Sequence, residues 1–283
     1  MEIPKIPFDP APAVAMESSS FSELLRRVQP QSLPNLAAAN QVDLPHGTTI
    51  LALRYDSGVV IAGDRRATEG YTIAHRSIEK VFPTDSWSAI AIAGTAGPAI
   101  EMTRLFQTEI EHYEKIGGER LTLEGKANRL GQMIRDHLPM AMQGLAVVPI
   151  FAGWDFATSS GRLFKYDVTG GRYEESDYCA TGSGGRDARA SLKKRYRADI
   201  TRDEAVKVAL EALFDASEED VGTGGPDVLR KIYPNIASIS EEGFIEISDE
   251  DIATLFGHLM QERAEAGRSH SAETVRGAPD QVT

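Results

Sequence analysis

The sequence predicts an α+β fold in which two sheets pack face to face with helices on the outside, and two observations carry that reading. Strand-like and helix-like segments come in separate runs, in the order strands, two helices, strands, two helices, strands, helix, which favours segregated layers over alternating βαβ units. Apart from the basic Gly184–Tyr196 segment, the helical segments each carry an apolar stripe on one face. Two facing sheets with helices outside would bury all of these apolar positions together.

The first 47 residues stand apart from that body. They are rich in Pro, Ala and Ser and contain no strand pattern. One short helix is expected at Phe21–Val28, where Phe21, Leu24, Leu25 and Val28 share a face and Ser20 with Glu23 forms a capping box. The body begins at Thr48. Thr49–Tyr55 reads as a strand, Asp56-Ser57-Gly58 as a tight turn and Val59–Ala62 as a second strand. A further pair is expected at Lys80–Phe82 and Trp87–Ala93. Met102, Leu105, Phe106 and Ile110 then mark a helix that Gly117-Gly118 stops. Leu123, Ala127, Leu130, Ile134 and Leu138 mark the next. Strands return at Leu145–Ala152, Gly161–Asp167 and Tyr173–Ala180. Gly184–Tyr196 reads as a short basic helix. Thr201 with Glu204 opens another, which buries Val206, Leu210, Leu213 and Phe214. Ile232–Ile239 and Phe244–Ile247 read as a closing hairpin, and Ile252, Leu255, Phe256 and Leu259 as a last helix. After Arg263 the chain is polar and is expected to be disordered.

Bulk properties narrow the function. The 283 residues are 41% hydrophobic, ordinary for a soluble globular protein. No apolar run approaches the length of a bilayer span, and Glu2, Pro4, Pro7 and Pro10 interrupt any signal-peptide pattern at the N-terminus. The single cysteine, Cys179, excludes an internal disulfide and fits a reducing compartment, so a cytoplasmic location is expected. A net charge of −12 argues against a general nucleic-acid binder.

Common catalytic signatures are missing: there is no G-x-S-x-G elbow, no H-E-x-x-H, no C-x-x-C pair and no Walker loop. The six histidines, His46, His75, His112, His137, His258 and His270, lack metal-ligand spacing, so no metal is expected. What remains is His46-Gly47-Thr48-Thr49 at the junction of leader and first strand. Gly63-Asp64-Arg65-Arg66-Ala67-Thr68 follows the second strand, Lys80 heads the third, and Ala93-Gly94-Thr95-Ala96-Gly97 precedes a helix. Gly182-Ser183-Gly184 and Asp220–Gly225 come later. In this order and spacing the pieces resemble the proteasome β-subunit family of N-terminal nucleophile hydrolases, over about residues 48–262. The long leader, the His-Gly-Thr-Thr-Ile start and the Thr223–Asp227 stretch look most like its actinobacterial branch.

The chemistry of such a start is simple. A threonine hydroxyl is a poor nucleophile and needs a base. At a free N-terminus the α-amine serves, because its pKa lies at about 7.7–8.0. Thr48 is therefore inert until the Gly47–Thr48 bond is cut, and glycine, lacking a Cβ, tolerates the strained backbone of self-attack.

The resemblance implies the rest. The fold would be a four-layer αββα sandwich, with residues 1–47 a removable propeptide, 48–263 the catalytic domain and 264–283 a tail. Lys80 would sit beside Thr48 and lower the pKa of its amine and hydroxyl, and Asp64 would hold Lys80 charged. The Gly94 N–H would supply an oxyanion hole, and Ser183, Asp220 and Thr223 would tune the amine. The family usually has serine where Thr223 stands. Ala67, Thr68, Ile78, Phe82, Ile92, Ala96 and Ile100 would line a specificity pocket for apolar residues. Implied partners are other β subunits in seven-membered rings, α subunits in capping rings, a ring-shaped ATPase activator and unfolded proteins tagged by a small protein modifier. Neither metal nor organic cofactor is implied.

Taken singly, Asp64 reads as a turn residue, Lys80 as a strand end, Ser183 as an N-cap and Asp220 as a loop cap; taken together, those readings give no reason for the shared spacing. Three other readings fit the sequence less well. A non-catalytic ring subunit would not need Thr48, Asp64 and Lys80 together. Small-molecule amidases of the N-terminal nucleophile class often expose Ser or Cys instead. The simpler bacterial threonine protease that works with an unfolding ATPase has almost no leader.

Overall fold

The computed structural model describes residues 47–70 and 72–276. The expected leader helix at Phe21–Val28 lies outside them. The first sheet has five antiparallel strands in the order β10-β1-β2-β11-β12, formed by Tyr178–Gly182, Thr49–Tyr55, Gly58–Gly63, Asn235–Ser240 and Gly243–Glu246. The second sheet runs β5-β6-β7-β8-β9, also antiparallel, from Val81–Asp85, Ser88–Gly94, Val147–Asp155, Ser160–Tyr166 and Arg172–Glu175.

The period-two geometry of strands builds the layers directly. In β1 and β2, Ile50, Ala52, Val59 and Ile61 face inward between the sheets, whereas Leu51, Leu53, Val60 and Ala62 face outward. In β6, Ala89, Ala91 and Ala93 face inward and Ile90 and Ile92 outward. Helices α1 (Ala96–Gly117) and α2 (Leu123–Asp136) cover the outer face of the second sheet through Met102, Phe106, Leu130 and Ile134. Helices α4 (Gly185–Arg195), α5 (Arg202–Glu219) and α6 (Asp249–Arg276) cover the first through Leu192, Leu210, Leu213 and Phe256. A four-layer αββα sandwich results, its strands apolar on both faces because both faces are buried.

The helix ends follow the local signals. Gly118 takes the left-handed conformation (φ 68°) that closes α1, a conformation glycine adopts without Cβ strain. The Thr122 hydroxyl accepts from Gly125 N at 3.0 Å to start α2. Thr201 and Glu204 cap each other at the head of α5.

Several expectations are corrected. The segment read as one strand at Tyr173–Ala180 is two: β9 pairs with β8 in the second sheet, and after Ser176-Asp177 the chain crosses to pair β10 with β1 in the first. The two-stranded hairpin β3–β4 (Ala67–Glu69 and Thr72–His75) went unread, because β4 is exposed and carries no apolar alternation. Leu105 is exposed on α1, and Leu138 belongs to a separate turn, α3 (Leu138–Ala141). Phe214 is only partly buried, edge-on to Phe256. Helix α6 is drawn from Asp249 past Arg263 to Arg276.

Candidate active site

Thr48 is buried at the head of β1, where the end of the inter-sheet layer opens beside α1. Its hydroxyl donates to the carbonyl oxygen of Gly47 at 2.7 Å, so the nucleophile candidate lies against the peptide carbonyl that precedes it. Two hydrogen-bonded clusters meet at Thr48 and Thr49.

The first is built on Asp64, at the end of β2. Asp64 Oδ1 accepts from Thr49 N at 2.7 Å and from Lys80 Nζ at 2.5 Å; Oδ2 accepts from Arg66 N and Gly224 N, both at 2.8 Å. An ionised carboxylate accepts about four hydrogen bonds, so this fully buried group is satisfied. Lys80, just before β5, also donates to the Arg66 carbonyl at 2.6 Å, and its own amide donates to Asn235 Oδ1 at 3.3 Å. Burial holds the Lys80 ammonium below the ordinary lysine range, and the charge and hydrogen bond of Asp64 oppose that shift. A buried pair of this kind is worth little as a stabilising device but is costly to break from one side.

The second cluster is built on Asp220, the residue that ends α5. Asp220 Oδ2 accepts from Ser183 Oγ at 2.5 Å and from Thr223 Oγ1 at 2.6 Å, and Gly222 N donates to Oδ1 at 3.2 Å. Because the one proton of Thr223 goes to Asp220, the 2.7 Å contact between Thr49 and Thr223 has Thr49 as donor. Thr49 Oγ1 in turn accepts from Gly184 N at 2.9 Å. Ser183 Oγ accepts from Thr48 N at 3.2 Å. The chain of donors therefore runs from Gly184 through Thr49 and Thr223 to Asp220, and separately from Thr48 through Ser183 to the same carboxylate. Such chains polarise one another in a low-dielectric interior. The methyl of Thr223 is accommodated in a fully buried position without loss of the hydroxyl's bonds.

Gly94 ends β6 with φ 109°, a conformation that penalises any side chain, and an added Cβ would stand 2.1 Å from the Ala146 carbonyl. It faces a small cleft that Gly47, Thr48, Ala67, Ile78, Glu79, Lys80, Ile92, Ala93, Ala96 and Ala99 also line. Four of the seven expected pocket residues are thus on the cleft: Ala67, Ile78, Ile92 and Ala96. Three are not. Phe82 and Ile100 instead pack, partly buried, against the core cluster formed with α1 and α2. Thr68 instead accepts from Gly47 N at 3.1 Å. Glu79 and Ala99 escaped the sequence reading, Glu79 because a charged residue between Ile78 and Lys80 reads as solvated. Thr49, Asn235 and Gly222 also escaped; only the Thr-Thr doublet and the glycine-rich stretch after Asp220 hinted at the first and last.

A family model described as "Proteasome subunit" matches residues 44–232, more than half of the chain. A protein of Acidimicrobium ferrooxidans named proteasome subunit beta is 55% identical over 247 residues, covering 86% of this chain and 90% of that protein. The protein of the same name from Streptomyces griseus is 52% identical over 262 residues, covering 90% and 92%. That of Jonesia denitrificans is 54% identical over 238 residues, covering 84% and 79%. The αββα sandwich is accordingly the N-terminal nucleophile hydrolase fold. By family match, by these relatives and by its sandwich, the chain belongs to the proteasome subunit family, beside the β subunits of actinobacteria.

Proposed function

We propose that the chain is a proteolytic β subunit of a proteasome core, a threonine-type endopeptidase that activates itself by cleavage between Gly47 and Thr48. The observation that carries this reading is the 2.7 Å contact of the Thr48 hydroxyl with the Gly47 carbonyl, between the Asp64–Lys80 pair and the Ser183–Asp220 pair. In the first reaction the Thr48 Oγ1 adds to the Gly47 carbonyl carbon and gives up its proton. The C–N bond then breaks, the nitrogen takes a proton, and Gly47 is left as an ester on Oγ1. Water hydrolyses that ester to a Gly47 carboxylate, the Thr48 hydroxyl and a free α-amine.

The freed amine is the base for the second reaction. It accepts the Thr48 hydroxyl proton as Oγ1 attacks a substrate carbonyl, and returns it to the leaving amine. The Gly94 N–H, facing the same cleft, meets the developing oxyanion, where one donor is worth about 3 kcal/mol. Lys80 supplies positive charge that favours the neutral amine and the alkoxide. Ser183, Asp220 and Thr223 orient the amine through the bond that Ser183 already makes to Thr48 N. Water then frees the acyl group. Ala67, Ile78, Ile92 and Ala96 present an apolar wall, so cleavage follows apolar residues.

Working within the family's architecture, the chain joins other β subunits in seven-membered rings, stacked against α rings, with a ring-shaped ATPase feeding unfolded, modifier-tagged proteins in the cytoplasm. No helix among the described residues is long and apolar enough to cross a membrane. Full-length Thr48→Ala, Thr48→Ser and unmodified chains assembled with α subunits and given a fluorogenic peptide test the activity. The Ala variant is expected to retain residues 1–47 and to be inactive, with Ser partly active. Turnover by the Ala variant at the unmodified rate would overturn the reading.

A further inference from the structure

We infer that Thr68 and Gly222 form a slot that positions Gly47 for the first cut, a role that rests on the self-cleavage reading and adds two positioning residues to it. Thr68 lies in β3, is buried, and accepts the Gly47 amide proton at 3.1 Å. The next amide, Thr48 N–H, is held by Ser183 Oγ at 3.2 Å. Glycine samples more backbone angles than any other residue. Tying down the amides on both sides of Gly47 fixes the peptide plane between them, and that plane carries the carbonyl under attack. The result is the 2.7 Å contact from the Thr48 hydroxyl.

Space is fixed as tightly as orientation. A Cβ on Gly47 would stand 2.4 Å from Thr68 Oγ1 and 2.7 Å from Gly222 Cα, and one on Gly222 would stand 2.6 Å from Gly47 Cα. Two glycines therefore lie back to back, with the threonine hydroxyl closing the slot. Real Cβ atoms do not approach backbone so closely, so a side chain on either glycine forces the Gly47 and Gly222 backbones apart or displaces Thr68. Neither Thr68 nor Gly222 is on the cleft formed by Thr48, Ala67, Ile78 and Ile92. The slot is occupied only while Gly47 is attached, so it acts chiefly on maturation and far less on later turnover.

The test follows the full-length chain assembled with α subunits and reads two quantities. One is the rate at which residues 1–47 disappear, by intact mass; the other is peptide turnover per processed Thr48 N-terminus in the same particles. Thr68→Val, which removes the acceptor and keeps the shape, is expected to slow processing at least about tenfold more than it slows turnover. Thr68→Ser keeps the hydroxyl and is expected to process within about twofold of the unmodified chain. Gly222→Ala is expected to show the same split, arrested at the first cut. Processing and turnover falling in proportion in Thr68→Val and Gly222→Ala would indicate a merely structural role and overturn the inference. Unmodified processing rates in both would overturn it too. The Thr48→Ala chain separates the two levels: if it stays uncut, such results sink the slot alone; if it is cut after Gly47, the self-cleavage reading falls and the slot with it.

Discussion

Between the two sheets, Ile50, Ala52, Val59, Ile61, Ala89 and Ala91 fill the inner layer with apolar side chains that ask nothing of their neighbours except volume. At the end of the same strands, Thr48, Asp64 and Gly94 are held by named partners at 2.5–3.2 Å or by a backbone angle that glycine alone adopts freely. Strand geometry is shared, but the energetics are not. In the middle, a lost methylene costs transfer free energy and a small cavity, and neighbours relax around it. At the Thr48 end, deleting one partner strands a buried donor, acceptor or charge, which costs more and cannot relax away. The sandwich supplies rigidity, and the polar end uses it to keep a hydroxyl, an ammonium and two carboxylates in register.

The contrast breaks most sharply at Lys80. Lys80→Met leaves Asp64 buried with backbone donors but without its cation; turnover is expected to fall by at least about 10²–10³-fold, and stability by about 3–5 kcal/mol. Peptidase assays and denaturant unfolding of the assembled particle check both. The pH profile sharpens the same point. Turnover is expected to rise as the Thr48 amine loses its proton, which the nearby Lys80 charge moves below the ordinary α-amine range of about 7.7–8.0. It is expected to fall as Lys80 loses its proton, which burial brings below the ordinary lysine range. Asp64 is the main influence holding that proton on, so Asp64→Asn is expected to move the alkaline limb of residual activity to lower pH; Arg66 already pushes the same way and Asp220 against it. An unmoved limb would assign it to another group.

Thr223→Val tests the second cluster. It removes the hydroxyl between Thr49 and Asp220, and turnover is expected to drop about tenfold, while Thr223→Ser stays near the unmodified rate. The smallest effect belongs to the middle of the sandwich. Ile61→Val is expected to cost about 0.5–1.5 kcal/mol of stability and to leave turnover within about twofold. A large activity loss there, with little loss of stability, would erase the distinction between the two regions.

The middle was also the legible part. Short, nearly continuous apolar runs on either side of the Asp56-Ser57-Gly58 turn mark β1 and β2 to within a residue, and the Thr201–Glu204 capping box marks the start of α5. Apolar alternation does not say which sheet a strand joins, so Tyr173–Ala180 read as one strand although the chain changes sheets at Ser176-Asp177. Nor does it say which apolar side faces a cleft: Ile78 does, while Phe82, four residues on, packs under α1. At the site, Thr48, Asp64, Lys80, Ser183, Asp220 and Thr223 were legible only jointly, through their order along the chain. The parts played by Thr68 and Gly222 were not legible at all, because they depend on which backbone comes close to which, and tertiary packing alone decides that.

The identity of the mature N-terminus tests the central claim most directly. Full-length chain assembled with α subunits, analysed by intact mass and terminal sequencing of active particles, is expected to lose residues 1–47 and to read Thr-Thr-Ile-Leu from Thr48. Active particles that retain Gly47, or that begin at any other residue, would contradict the assignment of Thr48 as nucleophile and base.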